Sequence, residues 1–274
     1  MPEQIGPHLL GRRVVPDDRD WTPEKLHAHL AAQPSPPDSI ADMTVRQIVT
    51  DTKYLSTWQG ILAFWRWIKS FFFHPQPTPT PTPAPIDAPS WVPGPVLDQG
   101  DYGTCVGNGW AGWGDATPVV DTYTEKDARA IYYEATCLDG QCDDPDALGG
   151  GQMGATVRSG AKAMQNRKRL LAYAFAKTLA DVDEWIDNHG PVVMGTDWTN
   201  DMFDPDRNGF VRPTGGVAGG HCYLMIDRLP DEDAYLMRNS WGSGWGQAGD
   251  FKIKTADLQS LLDQQGEACL AAEV

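Results

Sequence analysis

Between positions 56 and 73 apolar side chains return every three or four residues, so that Trp58, Ile61, Leu62, Trp65, Ile68 and Phe72 line one helical face. Phe64, Trp67 and Phe71 add a second apolar seam, and little polar surface remains beyond Gln59, Arg66, Lys69 and Ser70. A helix apolar nearly all round has to bury itself. Its own protein, a partner protein and a membrane surface are the alternatives. A true span is disfavoured, because Arg66 and Lys69 fall inside a stretch of barely spanning length.

The same spacing predicts further helices. Trp21-Thr22-Pro23-Glu24 reads as a helix start, with Thr22 as N-cap and Pro23 at the first helical position, leading into Lys25 to Ala32. A second helix is predicted from Ala41 or Thr44 towards Leu55. Others are predicted at Cys105–Gly114 (despite Gly107, Gly109 and Gly112), Asp127–Ala135, Ala155–Gln165 and Asp181–Asn188. Short apolar runs at Pro191–Gly195, Cys222–Ile226, Ala234–Met237 and Asp250–Ile253 read as strands. Helices first and strands later predict an α+β fold with segregated halves.

Pro75 to Pro85 is a Pro-Thr repeat that lacks backbone donors and favours extended polyproline II. It divides the chain into a polar N-terminal extension (1–54), the apolar helix (55–74), a Pro/Thr-rich linker (75–90) and a larger C-terminal domain (91–274). As a stiff spacer of about 3 Å per residue, it would let residues 58–72 dock on a partner protein or lipid surface rather than complete the core.

A net charge of -15 argues against nucleic acid as a partner, since a phosphate backbone wants clustered Lys and Arg. Met1 to Leu10 lacks the basic start and apolar run of a signal peptide. Five cysteines are too few for a disulfide scaffold. Cys137 and Cys142 flank a short turn and read equally well as a local bridge or two free thiols. No Cys/His pairs have zinc-site spacing, and no cofactor is expected. Asp204-Pro205-Asp206-Arg207-Asn208-Gly209 matches half of a calcium loop, but Gly215 stands where the closing glutamate belongs, so a solvated turn is the better reading.

Among six histidines, His8, His27, His29 and His74 lie in the extension or linker, and His189 precedes the Gly190-Pro191 helix stop. Only His221 follows a glycine cluster (Gly215, Gly216, Gly219, Gly220) and opens an apolar strand. Cys105 opens a predicted helix, where the dipole and free N–H groups stabilise a thiolate. The two make a plausible nucleophile and base. Cys222, next to His221 on a strand, points to the opposite face and is expected in the core.

Two longer strings add to this. Asp98-Gln99-Gly100-Asp101-Tyr102-Gly103-Thr104-Cys105 resembles the nucleophile motif of papain-like (C1) cysteine peptidases, and Arg238-Asn239-Ser240-Trp241-Gly242-Ser243-Gly244-Trp245-Gly246 resembles that family's asparagine motif. Gly219-Gly220-His221 falls between them, in the order Gln, Cys, His, Asn. Gly154-Ala155-Thr156-Val157-Arg158, Gly190-Pro191-Val192-Val193 and Met202-Phe203 resemble the bacterial branch, as does Val14-Val15-Pro16-Asp17-Asp18-Arg19-Asp20. Residues 40–86 then look like an insertion between an N-terminal arm and the catalytic body.

The resemblance implies a two-lobed fold and hydrolysis of a polypeptide substrate. Cys105 would be nucleophile, His221 base and Asn239 the residue orienting the histidine, with Trp241 shielding that contact. Gln99 and the Cys105 N–H would form the oxyanion hole. Gly150 and Gly151, in the Gly149–Gly151 run, would pair with substrate backbone beside Gly220, and Met153 and Ala218 would line the S2 pocket. Tyr102 and Val106 depart from the commonest residues at their positions without removing a catalytic group. The alternatives are a papain-fold transpeptidase or cell-wall amidase, or a docking protein whose peptidase domain serves processing.

Overall fold

Thr124 and Asp127 exchange side-chain and backbone hydrogen bonds at the start of one helix, and Thr178 and Asp181 do the same at another. These capping boxes satisfy donors that a helix start otherwise leaves unpaired. The computed structural model describes residues 10–15, 20–32 and 91–274. In chain order the elements are β1 (Arg12–Arg13), α1 (Pro23–Ala32), α2 (Cys105–Asp115), α3 (Glu125–Leu138), β2 (Ala155–Thr156), α4 (Val157–Asn166) and β3 (Leu170–Phe175). They continue with α5 (Leu179–Asn188), β4 (Val192–Thr199), β5 (Val217–Leu229), β6 (Ala234–Arg238), β7 (Asp250–Lys254), α6 (Thr255–Asp263) and β8 (Glu267–Glu273).

Six strands form one antiparallel sheet in the order β3-β8-β4-β5-β6-β7. The helical lobe packs α2 between α3 and this sheet, around buried Val106, Trp110, Ile131, Tyr132, Met164 and Leu224. The glycines of α2 permit close approach. A Cβ on Gly107 would stand 2.2 Å from the Ala128 carbonyl oxygen, and one on Gly109 2.8 Å from Cys222 Sγ. Cys222 is buried against that helix, on the core side expected of it.

Two strands run longer than the apolar runs predict. β4 continues to Thr199 and β5 begins at Val217, because Gly219 and Gly220 keep pairing with Trp198 and Asp197. β3 and β8 correspond to no predicted element. β8 reads Glu-Ala-Cys-Leu-Ala-Ala-Glu, an alanine-rich composition with no strand signature, and burial between β3 and β4 decides its form.

The chain divides into one unit of Met1–Ala28 with Ala88–Val274 and a second of His29–Asp87. Within the first, the early residues are part of the body. Leu26 is fully buried, the Phe175 N–H donates to the Trp21 carbonyl at 3.3 Å, and Arg158 is paired with Asp20. The expected helix at 41–55, the apolar helix at 55–74 and the linker at 75–90 lie outside the described residues. Among the described residues no helix is long and apolar enough to cross a membrane.

Candidate active site

Cys105 is the first residue of α2, His221 lies within β5 opposite Thr196 of β4, and Asn239 follows β6 directly. All three are buried. His221 Nε2 is 2.8 Å from Asn239 Oδ1, which also accepts the Ser240 N–H at 2.8 Å. With Asn239 Oδ1 as acceptor, the imidazole carries its proton on Nε2. Trp241 stacks on the His221 ring at 4.7 Å, and Trp198 meets it edge-on at 4.9 Å, so the contact is held in an apolar surround. Trp198, on β4, is a wall residue that neither motif string pointed to.

Gln99 reaches the same place from the other motif. Its N–H donates to the Ser240 carbonyl at 2.9 Å, and Ser240 Oγ donates to Gln99 Oε1 at 2.7 Å. The Gln99 amide nitrogen donates to the Tyr102 carbonyl at 2.8 Å. The segments around Leu97–Gln99 and Ser240–Gly242 are thus laced together, with Asp98 paired to Trp241.

A buried carboxylate organises the glycine loop. Asp143 accepts the N–H groups of Gly151, Gln152 and Met153 and the Tyr132 hydroxyl. Burial pushes its pKa up, but these donors outweigh burial and hold it below the usual carboxylate value. The Cys137–Cys142 disulfide closes the turn just before Asp143. Asp139, inside that turn, accepts the Thr156 N–H at 2.9 Å and the Ser159 hydroxyl at the start of α4.

What lies along this edge is the chain's own N-terminal segment. β1 pairs in parallel with β2, Arg12 opposite Ala155 and Arg13 opposite Thr156, and the Ala155 N–H donates to the Gly11 carbonyl at 2.7 Å. The ladder falls on Ala155 and Thr156 rather than on Gly150 and Gly151. The Gly151 carbonyl instead accepts the Gly103 N–H at 2.7 Å, bracing the nucleophile loop, and Gly150 packs on Asp144. Met153 is 55% exposed, and Ala218 is half-buried. Gly220 is where the arm crosses β5, for a Cβ there would stand 2.5 Å from the Arg12 carbonyl oxygen.

With the segment in place the Cys105 thiol is pushed up to about 11 by burial. The N–H groups of Gly11, Cys222 and Val106 and the charge of Arg12 all favour the thiolate, but do not overcome that desolvation. The expectation of a thiolate stabilised at the helix start is corrected for this conformation. Burial is the larger effect.

The Arg12 side chain fills a pocket that sequence reasoning missed. Its Nε donates to Glu267 Oε2 at 3.2 Å and its Nη2 to the same oxygen at 3.1 Å and to the Gln265 carbonyl. Asp197 Oδ1 lies 3.9 Å from Nη1. Gly195 makes room for it, since a Cβ there would stand 2.8 Å from Arg12 Nε. Glu267 and Asp197 belong to no motif, and only the folded sheet brings β8 and β4 beside the groove.

The family model for papain family cysteine proteases matches residues 125–268, just over half of the chain. A gut-specific cysteine proteinase of Caenorhabditis elegans is 27% identical over 184 residues, covering 62% of this chain and 56% of that protein. A cathepsin B-like cysteine proteinase of the same organism is 31% identical over 84 residues, 30% of this chain and 25% of the relative. The chain thus spans about half or less of these curated relatives. Xylellain, a cysteine protease from Xylella fastidiosa, superposes with a TM-score of 0.52 at 16% identity, covering 74% of this chain and 95% of that one. That likeness concerns the two-lobed fold.

Proposed function

The chain belongs to the papain family of cysteine proteases, and on that premise we propose that it hydrolyses peptide bonds of a polypeptide through Cys105, His221 and Asn239. His221 takes the Cys105 thiol proton as the sulfur attacks the carbonyl carbon, and the oxyanion is held by the Gln99 amide and the Cys105 N–H. His221, as imidazolium, gives its proton to the departing amine, leaving a thioester on Cys105. His221 then takes a proton from water, whose oxygen attacks the thioester; the C–S bond breaks, His221 returns that proton to the sulfur, and the carboxylic acid product leaves and gives its own proton to solvent. Asn239 keeps the ring turned towards the thiol. The observation that carries this reading is the 2.8 Å contact of His221 Nε2 with Asn239 Oδ1, beside a Gln99 side chain that Ser240 fixes in place.

On the same reading, the segment around Gly11 and Arg12 holds the enzyme latent, and a substrate takes its place along Ala155 and Thr156. A buried carboxylate left without a cation is costly, so the pocket of Glu267 and Asp197 favours a substrate with an arginine side chain near the cleaved bond. Residues 58–72 are proposed to dock the enzyme on a partner protein or lipid surface.

The test is hydrolysis of an unfolded protein substrate by the Arg12→Ala chain, with Cys105→Ala as control. Turnover that disappears with Cys105→Ala is expected. Turnover that persists without Cys105, or is absent although Cys105 is exposed to alkylation, would refute the assignment.

A further inference from the structure

Away from the groove, His27 of α1 meets Glu184 of α5 and His189 at the end of that helix. His27 Nε2 lies 3.1 Å from Glu184 Oε2, and His189 Nε2 lies 3.3 Å from Glu184 Oε1. The three donor atoms all fall within 4.8 Å of one another. Sequence spacing could not reveal this, because the histidines come from segments brought together only by folding.

The two contacts are short enough for ion pairs, and the same three donors also converge closely enough for one metal ion. Zinc holds imidazole nitrogen and carboxylate oxygen at about 2.0–2.2 Å, and near-tetrahedral angles then set its ligands about 3.3 Å apart. The observed nitrogen–oxygen contacts, 3.1 Å to Oε2 and 3.3 Å to Oε1, are near that spacing, each imidazole lying beside its own oxygen of the Glu184 carboxylate. His27 Nε2 is shut off from solvent and makes no hydrogen bond, although Glu184 Oε2 is close by. The rings are also held in place. Trp185 stacks on His27 at 5.8 Å with planes 4° apart and meets His189 at 4.5 Å. Trp185 is itself buried, so the cluster rests on a fixed platform.

We propose that His27, Glu184 and His189 form a site for one divalent transition-metal ion of the zinc type, with water completing the shell. Two neutral imidazoles and a carboxylate are a donor set such an ion accepts, and the strongly acidic chain adds a favourable field. The ion would fasten α1 to α5. Because α1 follows the segment lying in the groove, it would also hold that segment down. The site stands apart from the catalytic reading and survives its failure.

The experiment titrates zinc into the full chain while following heat of binding and melting temperature, and repeats both with His27→Ala, His189→Ala and Glu184→Gln. The expected result is one ion per chain and a raised melting temperature, with affinity at least tenfold weaker in each variant. Cobalt as a spectroscopic substitute should give d–d absorption without a sulfur charge-transfer band, which separates this site from Cys105. Metal-free melts establish that each variant is folded. A missing temperature rise, binding unchanged in folded variants, or a cobalt–sulfur band would each overturn the proposal.

Discussion

Ser240 Oγ donates a hydrogen bond to Gln99 Oε1 at 2.7 Å, across 141 positions of sequence. The contact fixes which end of the Gln99 amide is the donor, since Oε1 accepts from Ser240 while Nε2 carries the N–H groups and already gives one to the Tyr102 carbonyl. On the proposed mechanism Gln99 would carry the direct interaction with the oxyanion and Ser240 would position it. Gln99→Ala should therefore lower kcat by about 10²–10³-fold. Ser240→Ala removes one neutral hydrogen bond, worth about 0.5–1.5 kcal/mol, and should lower kcat by about two- to tenfold with KM little changed. Steady-state kinetics on the activated enzyme would measure both. Equal losses in the two variants would mean that Ser240 does more than orient the amide.

On the proposed reading Arg12 locks the segment in the groove. Its side chain is fully buried and bonded to Glu267, and removing one partner of a buried pair costs about 3–5 kcal/mol. Arg12→Ala should thus release the segment and expose the thiol. Alkylation of Cys105 by an epoxide-type thiol reagent, read by mass spectrometry, is expected to speed up at least tenfold, while the buried Cys222 and Cys269 stay slow. Arg12→Lys should give an intermediate rate. If all three proteins label Cys105 equally, the segment does not guard the thiol.

The pH dependence of stability should carry the mark of Glu267. Burial, the largest cause, raises the Glu267 pKa above its ordinary value, and the nearby charge of Arg12 pulls it only partly back. Arg158 also lowers it, while Asp20 raises it. The folded state therefore holds this proton more tightly than the unfolded chain does, so the contribution of Glu267 is fully present below the ordinary carboxylate pKa and is lost as pH rises through the raised value. Melting temperature followed upward from mildly acidic pH should show that loss. Glu267→Gln, which cannot ionise, should flatten it, and a profile unchanged by Glu267→Gln would remove this carboxyl as its source.

How far the sequence reaches is clear from Asp20 and Arg158. Each closes a string that resembles the family, and the structure pairs them with Arg158 Nε 2.7 Å from Asp20 Oδ1. The motif strings named the groups now found at the site because they sit at local turns and element ends whose chemistry is written nearby. Glu267, Asp197, Trp198 and Ser240 were not read as site walls or supports. Their roles come from strand neighbours far away in sequence, which neither period nor motif records. The raised pKa of the Cys105 thiol was also illegible, because its burial, and the Gly11 and Arg12 groups that act on it, depend on where the chain folds.

Removing residues 1–86 tests both the arm and the segment beyond it. The polar extension looked separable in sequence, but β1, Asp20 and Leu26 belong to the same unit as the catalytic body. Truncation would leave Arg158 without its carboxylate and open the site that Leu26 fills, each a loss of a few kcal/mol. The truncated chain should therefore melt well below the full chain, yet label at Cys105 rapidly without a further substitution. A peptide of residues 10–32 added in trans should raise the melting temperature and slow the labelling, because it restores both the ion pair and the strand in the groove. Co-sedimentation with lipid vesicles, or binding to a partner, should be lost on truncation and not restored by that peptide, since it lacks residues 58–72. A truncated chain that melts with the full one and labels no faster would show that the early residues neither brace the body nor cover the thiol.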